Sequence, residues 1–210
     1  MFIDRIEAGK KLAVALIDLC DQPSPIVVLA IPRGGVIVAR EVARVLEAPL
    51  DVCLTHKLSA PDNPELAIGA VAENGTTLLD HFLIEQLGVT PRYLEQEIAQ
   101  QQNEMARRAE AYRRGRKRLP VADRIVIVID DGIATGSTLI AALRSLHGAG
   151  AGSLIAATPV GPAGVVQLLQ READRVVCLR TPLDFWAVGA YYQHFNQVSD
   201  SEVIEALSPA

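Results

Sequence analysis

The stretch Ile125-Val126-Ile127-Val128-Ile129 is compatible with few folds. Five consecutive β-branched residues are stiff at χ1 and favour an extended backbone over a helix. Side chains of a strand alternate between its two faces, so an unbroken apolar run needs cover on both. That describes an inner strand of a parallel sheet with helices on either side. The run stops at Asp130 and Asp131, and Gly132 to Thr138 then read GIATGST before an apolar periodic stretch resumes. The order is strand, acidic pair, loop, helix. Gly132 and Gly136 let the backbone turn and approach a ligand without a Cβ in the way. The hydroxyls of Thr135, Ser137 and Thr138, with the free N–H groups that open the helix, suit a phosphate. The adjacent carboxylates suit the hydroxyls of a sugar or a hard cation such as Mg²⁺. A plainer account makes Thr135 or Ser137 the N-cap of the helix. It explains one hydroxyl, but not two acids, three hydroxyls and two glycines together.

The rest of the chain repeats the alternation. Apolar strand-length runs at Ile26–Ile31, Leu50–Thr55, Leu154–Thr158 and Arg175–Leu179 are separated by helical stretches at Val36–Leu46, about 137–146, and after Pro162. Such a pattern predicts an α/β fold, a mostly parallel sheet with ligands bound beyond the carboxyl ends of its strands. Asp4 and Glu7 form a capping-box-like start to an N-terminal helix ending near Cys20. Glu73-Asn74-Gly75 reads as a hairpin turn, and His56 to Glu65 before it as a long polar loop. Thr90-Pro91 opens a long helix whose narrow stripe (Leu94, Ile98, Met105, Ala109, Tyr112) lies on the domain or on a second subunit.

Composition excludes several classes. With 210 residues, half of them apolar, the chain can bury a full core as one domain. No run approaches the roughly 20 apolar residues that span a bilayer, and MFIDRIEAGKK lacks the apolar stretch of a signal peptide, so a cytoplasmic protein is expected. Cys20, Cys53 and Cys178 form no pair and read as small buried hydrophobes, and the four histidines have no metal-ligand spacing. A net charge of −5 argues against general affinity for nucleic acid. No G-x-x-x-x-G-K-[ST] or G-x-G-x-x-G is present.

The segment Val126 to Thr138 resembles the phosphoribosyl-diphosphate (PRPP) motif of the type I phosphoribosyltransferases, an apolar strand and two acids followed by x-T-G-x-T. The resemblance implies a type I phosphoribosyltransferase-like core over about 26–179, with a flap hairpin, a helical insertion at about 80–118 and a C-terminal hood at about 180–205. It implies transfer of the 5-phosphoribosyl group from PRPP to a small nitrogenous base, purine- or pyrimidine-like, with release of pyrophosphate. Asp130 and Asp131 would hold the ribose hydroxyls, and Gly132, Ile133, Ala134, Thr135, Gly136, Ser137 and Thr138 the 5′-phosphate. Arg33, Gly34 and Gly35 of the PRGG loop would bind pyrophosphate, through a backbone geometry that is often unusual in this family. Lys57, at the base of a mobile flap, would join them, and Mg²⁺ would arrive with the substrate. The residues expected to carry the reaction are Asp130, Asp131, Arg33 and Lys57. A homodimer is expected.

The acceptor is less defined. Ala134 stands where the hypoxanthine–guanine branch has an Asp, so D-D-G-I-A-T-G-S-T is more similar to the adenine branch. Five of the nine aromatic residues fall between Phe185 and Phe195. Asp184, Phe185, Trp186 and Tyr191 are candidates for a base pocket in which a flat ring stacks; Asn196 is another edge reader, and Glu65 a candidate general base. The same aromatics could instead anchor the segment on the core. The basic run Arg113 to Arg118 reads as a solvated helix end. Its sharper alternative is a nucleic-acid contact, which would make the chain a non-catalytic PRPP- or nucleotide-sensing regulator of the same fold.

Overall fold

The computed structural model describes residues 1–208, the side chains of Pro64 and Glu65 excepted. In chain order the strands are β1 (Ile26–Ala30), β2 (Leu50–Val52), β3 (Thr55–Ala60), β4 (Asn63–Ala72), β5 (Thr77–Leu79), β6 (Ile125–Ile129), β7 (Ser153–Val160) and β8 (Arg175–Arg180). The α-helices are α1 (Arg5–Ala15), α2 (Gly34–Val45), α3 (His81–Gln86), α4 (Pro91–Arg113), α5 (Ser137–Gly148), α6 (Ala163–Leu169) and α7 (Asp200–Ala206). Five strands form a parallel sheet in the order β2-β1-β6-β7-β8, and β3-β4-β5 form a separate antiparallel sheet.

The period of β6 sets the layers. Ile125, Ile127 and Ile129 pack with Leu12 of α1, Val38 of α2 and Met105 of α4, whereas Val126 and Val128 pack with Leu139 and Leu143 of α5 and Leu169 of α6. Both faces are covered, as the uninterrupted apolar run requires. Each of these fully buried side chains contributes about 1.5–3 kcal/mol. A charge at Ile127, which is wholly enclosed, would be the most disruptive single change in the strand.

Local signals set several boundaries. Asp4 caps α1 by accepting from Glu7 N at 2.8 Å. The reciprocal half of a capping box is missing, because the Glu7 carboxylate takes the Ile3 N–H instead. The helix ends at Ala15 and a 3-10 turn, Ile17–Asp21, follows. Cys20 is exposed there, contrary to the expectation that all three cysteines are buried, because the inward face of that turn ends at Leu19. Thr90 caps α4 through Tyr93 N, with Pro91 in the first turn as expected.

Three segments differ from the expectations: the run Leu50–Thr55 is divided, its parallel strand ending at Val52 and Thr55 opening β3 of the other sheet. His56 to Glu65 is not a polar loop. It supplies most of β3 and the start of β4, which pair antiparallel around a short turn at Pro61-Asp62. Polar residues at alternate positions are normal for an antiparallel sheet with one wet face, and Leu58 and Ala60 are buried on the other side. The basic run is not simply solvated either. Arg113 is 6 % exposed, its Nε bonded to both Asp51 oxygens (2.9 and 3.1 Å), its Nη atoms to Glu73, and Nη2 to the Val52 carbonyl at 3.2 Å. Asp51 also accepts from Leu119 N at 3.1 Å. Arg116 donates to the Leu207 carbonyl at 2.8 Å. The start of the run thus fastens the end of α4 to β2, the β4–β5 turn and α7. Among the described residues no helix is long and apolar enough to cross a membrane.

Candidate functional site

Strands β1 and β6 are neighbours in parallel register, Ala30 opposite Ile129, so the loops that follow them open side by side. From β1 the chain crosses to β2 through α2 on one face; from β6 it crosses to β7 through α5 on the other. The order of strands reverses between them, and a crevice forms at such a reversal. The two loops touch there. A Cβ on Gly35 would sit 2.8 Å from the Ile129 carbonyl oxygen and 3.0 Å from Asp130 Cα; one on Gly34 would sit 1.9 Å from Asp131 Oδ2. The Pro32–Arg33 peptide bond is cis, an unusual geometry at the position where the family resemblance implies one. Gly34→Ala is therefore expected to push the Asp131 carboxylate aside. Affinity for any ligand held by that acid should fall about tenfold or more, the scale of a hydrogen bond to a charged group, in a calorimetric titration with Mg·PRPP.

The loop after β6 encloses a cavity of about 210 Å³ lined by Asp130, residues 132–139 and Val188. Gly136 takes the N-cap position of α5 with φ +77°, and no side chain caps the helix. Thr135 and Ser137 pair with each other, hydroxyl to hydroxyl at 3.2 Å, and the Thr135 hydroxyl also accepts from Ser137 N at 3.5 Å, a long bond at the helix start. Ile133 N donates to the Val160 carbonyl and Ile140 N to Gly136. Among the described residues, no acceptor takes the N–H of Ala134, Thr135, Gly136 or Thr138. Bare amides at a helix start, facing an open cavity, favour an anion.

The two acids are not equivalent, and only Asp130 lines this cavity. Burial, reinforced by the charge of the adjacent Asp131, pushes the Asp130 carboxyl well above the usual carboxylate range. Its Oδ1 accepts from Asp131 N at 2.8 Å. Asp131 Oδ2 is held by Arg5 Nε at 2.7 Å, and the Asp131 carbonyl accepts from Tyr192 OH at 2.5 Å.

Lys57 is half-buried on β3. Thr55, two residues earlier and thus on the same face of the strand, donates to the Thr138 carbonyl at 3.3 Å, which roots the flap sheet beside the loop. The His56 ring meets the Lys57 carbonyl. Glu65's side chain lies outside the described residues. Arg33 is part-exposed, 3.8 Å from Asp200 at the start of α7; Asp200 in turn accepts from Tyr112 OH at 2.7 Å. In the C-terminal segment Phe185 and Tyr191 stack on each other at 5.5 Å. Tyr191 OH donates to the Asp184 carbonyl, and Trp186 is 88 % exposed. None of these four lines the loop cavity; Val188 does. Tyr192 packs on Phe2 and Phe195, an anchoring use of the aromatics. The Asn196 carbonyl accepts from Arg5.

Larger openings exist, among them one of about 360 Å³ between α1, α2 and the C-terminal segment and one of about 420 Å³ between the flap sheet and α5. The first mixes Arg5 and Arg40 with Glu41, Glu202 and Glu205, so size alone does not choose the site. Sequence reading missed Arg5, Tyr192, Val188 and Asp200. For Arg5 one signal was available: a cation in the first turn of a helix opposes the helix dipole.

A phosphoribosyl transferase domain model matches residues 3–194. The crystal structure of TT1426 from Thermus thermophilus is 43% identical, covers 99% of this chain and 97% of that chain, and superposes with a TM-score of 0.85. The Mycobacterium tuberculosis H37Rv protein named "Putative phosphoribosyl transferase Rv0571c" is 44% identical over 210 residues, which are 100% of this chain and 47% of that protein. The chain thus spans about half the length of the curated relatives it matches. The AQ2163 protein of Aquifex aeolicus is 13% identical with a TM-score of 0.51 over 83% of this chain and 72% of that one, a likeness of fold alone.

Proposed function

The chain belongs to the phosphoribosyl transferase domain family, and from that premise we propose that it transfers the 5-phosphoribosyl group of PRPP to a small nitrogenous base, purine- or pyrimidine-like, releasing pyrophosphate. The observation that supports this most is the meeting of three features at one strand reversal: a loop with unpartnered amides, an acid pair, and a PRGG loop in contact with that pair.

In this reading the amides of Ala134 to Thr138 take the 5′-phosphate, and Asp130 and Asp131 accept hydrogen bonds from the ribose hydroxyls. The bond from C1 to the pyrophosphate oxygen breaks as the bond from C1 to the acceptor nitrogen forms, and the acceptor's N–H proton passes to water or to the departing pyrophosphate. Positive charge gathers on C1 and its ring oxygen in the transition state, and negative charge on the departing pyrophosphate. The Gly34 and Gly35 amides, Arg33 and Lys57 are the groups that meet the latter charge, and donors fixed in advance are worth most at such a moment. Closing of the flap sheet, rooted by Thr55 on α5, excludes water that would otherwise intercept C1.

Mg²⁺ suits the donors present, since Asp130 and Asp131 supply hard oxygen ligands. Among the described residues no group of three or more His, Cys, Asp or Glu gathers; Asp130 and Asp131 are the residues that would meet a Mg²⁺ brought in with the substrate. When bound it neutralises pyrophosphate charge. A homodimer is part of the same proposal; α3 packs Leu83 and Ile84 on the core but leaves Phe82 77 % exposed.

The regulator alternative loses support from Arg113, which is buried in ion pairs and unavailable to nucleic acid. The test is pyrophosphate release from Mg·PRPP with a panel of purine and pyrimidine bases. Release that depends on one base is the expected result. A folded protein that releases none with any base, yet binds nucleic acid with a steep salt dependence, would support the regulator.

A further inference from the structure

Arg5 has no role in the reaction described above. It is the first residue of α1, directly after the N-cap Asp4, a place where the helix dipole disfavours a cation. Instead of turning to solvent, its side chain is only 11 % exposed and engages three partners. Nε donates to Asp131 Oδ2 at 2.7 Å, Nη1 donates to the Asn196 carbonyl at 2.8 Å, and the guanidinium lies 3.9 Å from the centre of the Phe195 ring. The two ends of the chain are themselves joined beside it. Phe2 N donates to the Tyr191 carbonyl at 2.7 Å and Gln193 N to the Phe2 carbonyl at 2.8 Å, while Tyr192 OH reaches the Asp131 carbonyl. Asp131 is thus gripped at its backbone by one terminal segment and at its carboxylate by the other. A local choice that opposes its helix and is compensated by several long-range partners marks a site under functional constraint.

We infer that Arg5, held by Phe195 and Asn196, is a positioning residue for Asp131 and sets the protein's preference for a sugar phosphate bearing an intact vicinal diol. This rests on the proposal that Asp130 and Asp131 receive the ribose hydroxyls. A carboxylate can accept about four hydrogen bonds, and Arg5 takes one of them, on Oδ2. Among the described residues no N–H donates to Oδ1. Fixing one oxygen removes the rotation of the carboxylate and leaves the other available, so a hydroxyl meets an acceptor already in place. Positioned groups gain through such pre-arrangement. Arg5 also supplies a cation where two acids adjoin, which opposes in small part the rise that burial and Asp131 impose on Asp130. The stack on Phe195 limits the guanidinium's own freedom, so the arrangement carries little entropic penalty in the free protein.

The experiment compares calorimetric affinities for ribose 5-phosphate, 2-deoxyribose 5-phosphate and inorganic pyrophosphate in wild type, Arg5→Gln, Arg5→Lys and Phe195→Leu. Wild type should prefer the ribose compound. Arg5→Gln should reduce that preference about tenfold, the effect of losing a charge-assisted hydrogen bond, with the affinity for 2-deoxyribose 5-phosphate, which lacks the diol, changed least. Arg5→Lys, which keeps the charge but not the fork, should restore part of it, and Phe195→Leu should lose part with Arg5 intact. Uniform weakening of all three ligands would mean a merely structural arginine and overturn the inference, as would an unchanged preference in Arg5→Gln. A wild type that fails to discriminate the two sugars refutes the diol assignment itself, and the Arg5 inference with it; the three results are distinct. Should Arg5→Gln fail to fold, Phe195→Leu alone decides, since loss of preference with the affinity for 2-deoxyribose 5-phosphate changed least supports the inference and an unchanged preference overturns it.

Discussion

Asp131→Asn should reduce phosphoribosyl transfer about 100-fold or more, the scale seen when one pre-arranged polar group is removed from a charge-developing centre. The substitution keeps the shape of the side chain. Its amide oxygen can still accept from Arg5 Nε, now 2.7 Å away, so the fold and the contact with Gly34 are expected to survive. What is lost is negative charge beside C1 and one acceptor for the diol, replaced by an N–H₂ that a hydroxyl meets as a donor. Steady-state pyrophosphate release and a thermal melt, run together, check this. A variant that melts like wild type and turns over like wild type would remove Asp131 from the mechanism.

The second large effect lies away from the crevice. Arg113→Ala should destabilise the protein by about 3–5 kcal/mol, because breaking a buried ion pair from one side leaves the other charges uncompensated. Asp51 and Arg113 have side chains only 6% and 7% exposed, and Glu73 19%. Surface ion pairs, by contrast, contribute about 0–1 kcal/mol, so pairs such as Arg107–Glu104 on the open face of α4 are poor controls for it and good contrasts. For a chain of this size the expected fall in melting temperature is about 6–20 °C. Because α4, β2 and the β4–β5 turn meet at this arginine, the flap sheet should loosen first, as earlier amide exchange in β4 and β5 than in β6. A melt within a degree or two of wild type would mean that the network is incidental. Arg113→Lys should recover little, since one ammonium cannot span two carboxylates and a carbonyl in fork geometry.

The features legible in the sequence were those carried by contiguous residues. Ile125 to Thr138 contains its own strand period, its acids and its loop, and a mostly parallel sheet covered on both faces followed from alternation of elements. The PRGG loop was legible for the same reason. Features carried by distant pairs were not. Arg5 and Asp131 are 126 residues apart, and nothing near Arg5 except its awkward place at a helix start sets it apart from Lys10 or Lys11. Arg113 looked like one of several cations at a helix end, since its partners Asp51 and Glu73 lie in a three-residue strand and a turn. The β3–β4 pair was hidden by chemistry: Pro61, Asp62, Asn63 and Pro64 give a strong turn signal that spread in the reading over flanking residues. Alternation of Leu58 and Ala60 with polar neighbours was the weaker, correct sign. The grouping of aromatics after β8 was visible, yet their division was not. Tyr192 and Phe195 anchor the termini, Phe185 and Tyr191 stack together, and Trp186 stays exposed.

Where PRPP sits on this protein decides the rest, and a crystal structure of the complex with Mg·PRPP would show it. The 5′-phosphate is expected on the amides of Ala134 to Thr138, the diol on Asp130 and Asp131, and the pyrophosphate against Gly34 and Gly35. PRPP seated in the cavity between α1, α2 and α7, or absent from the loop at saturating concentration, would contradict that placement and the mechanism built on it.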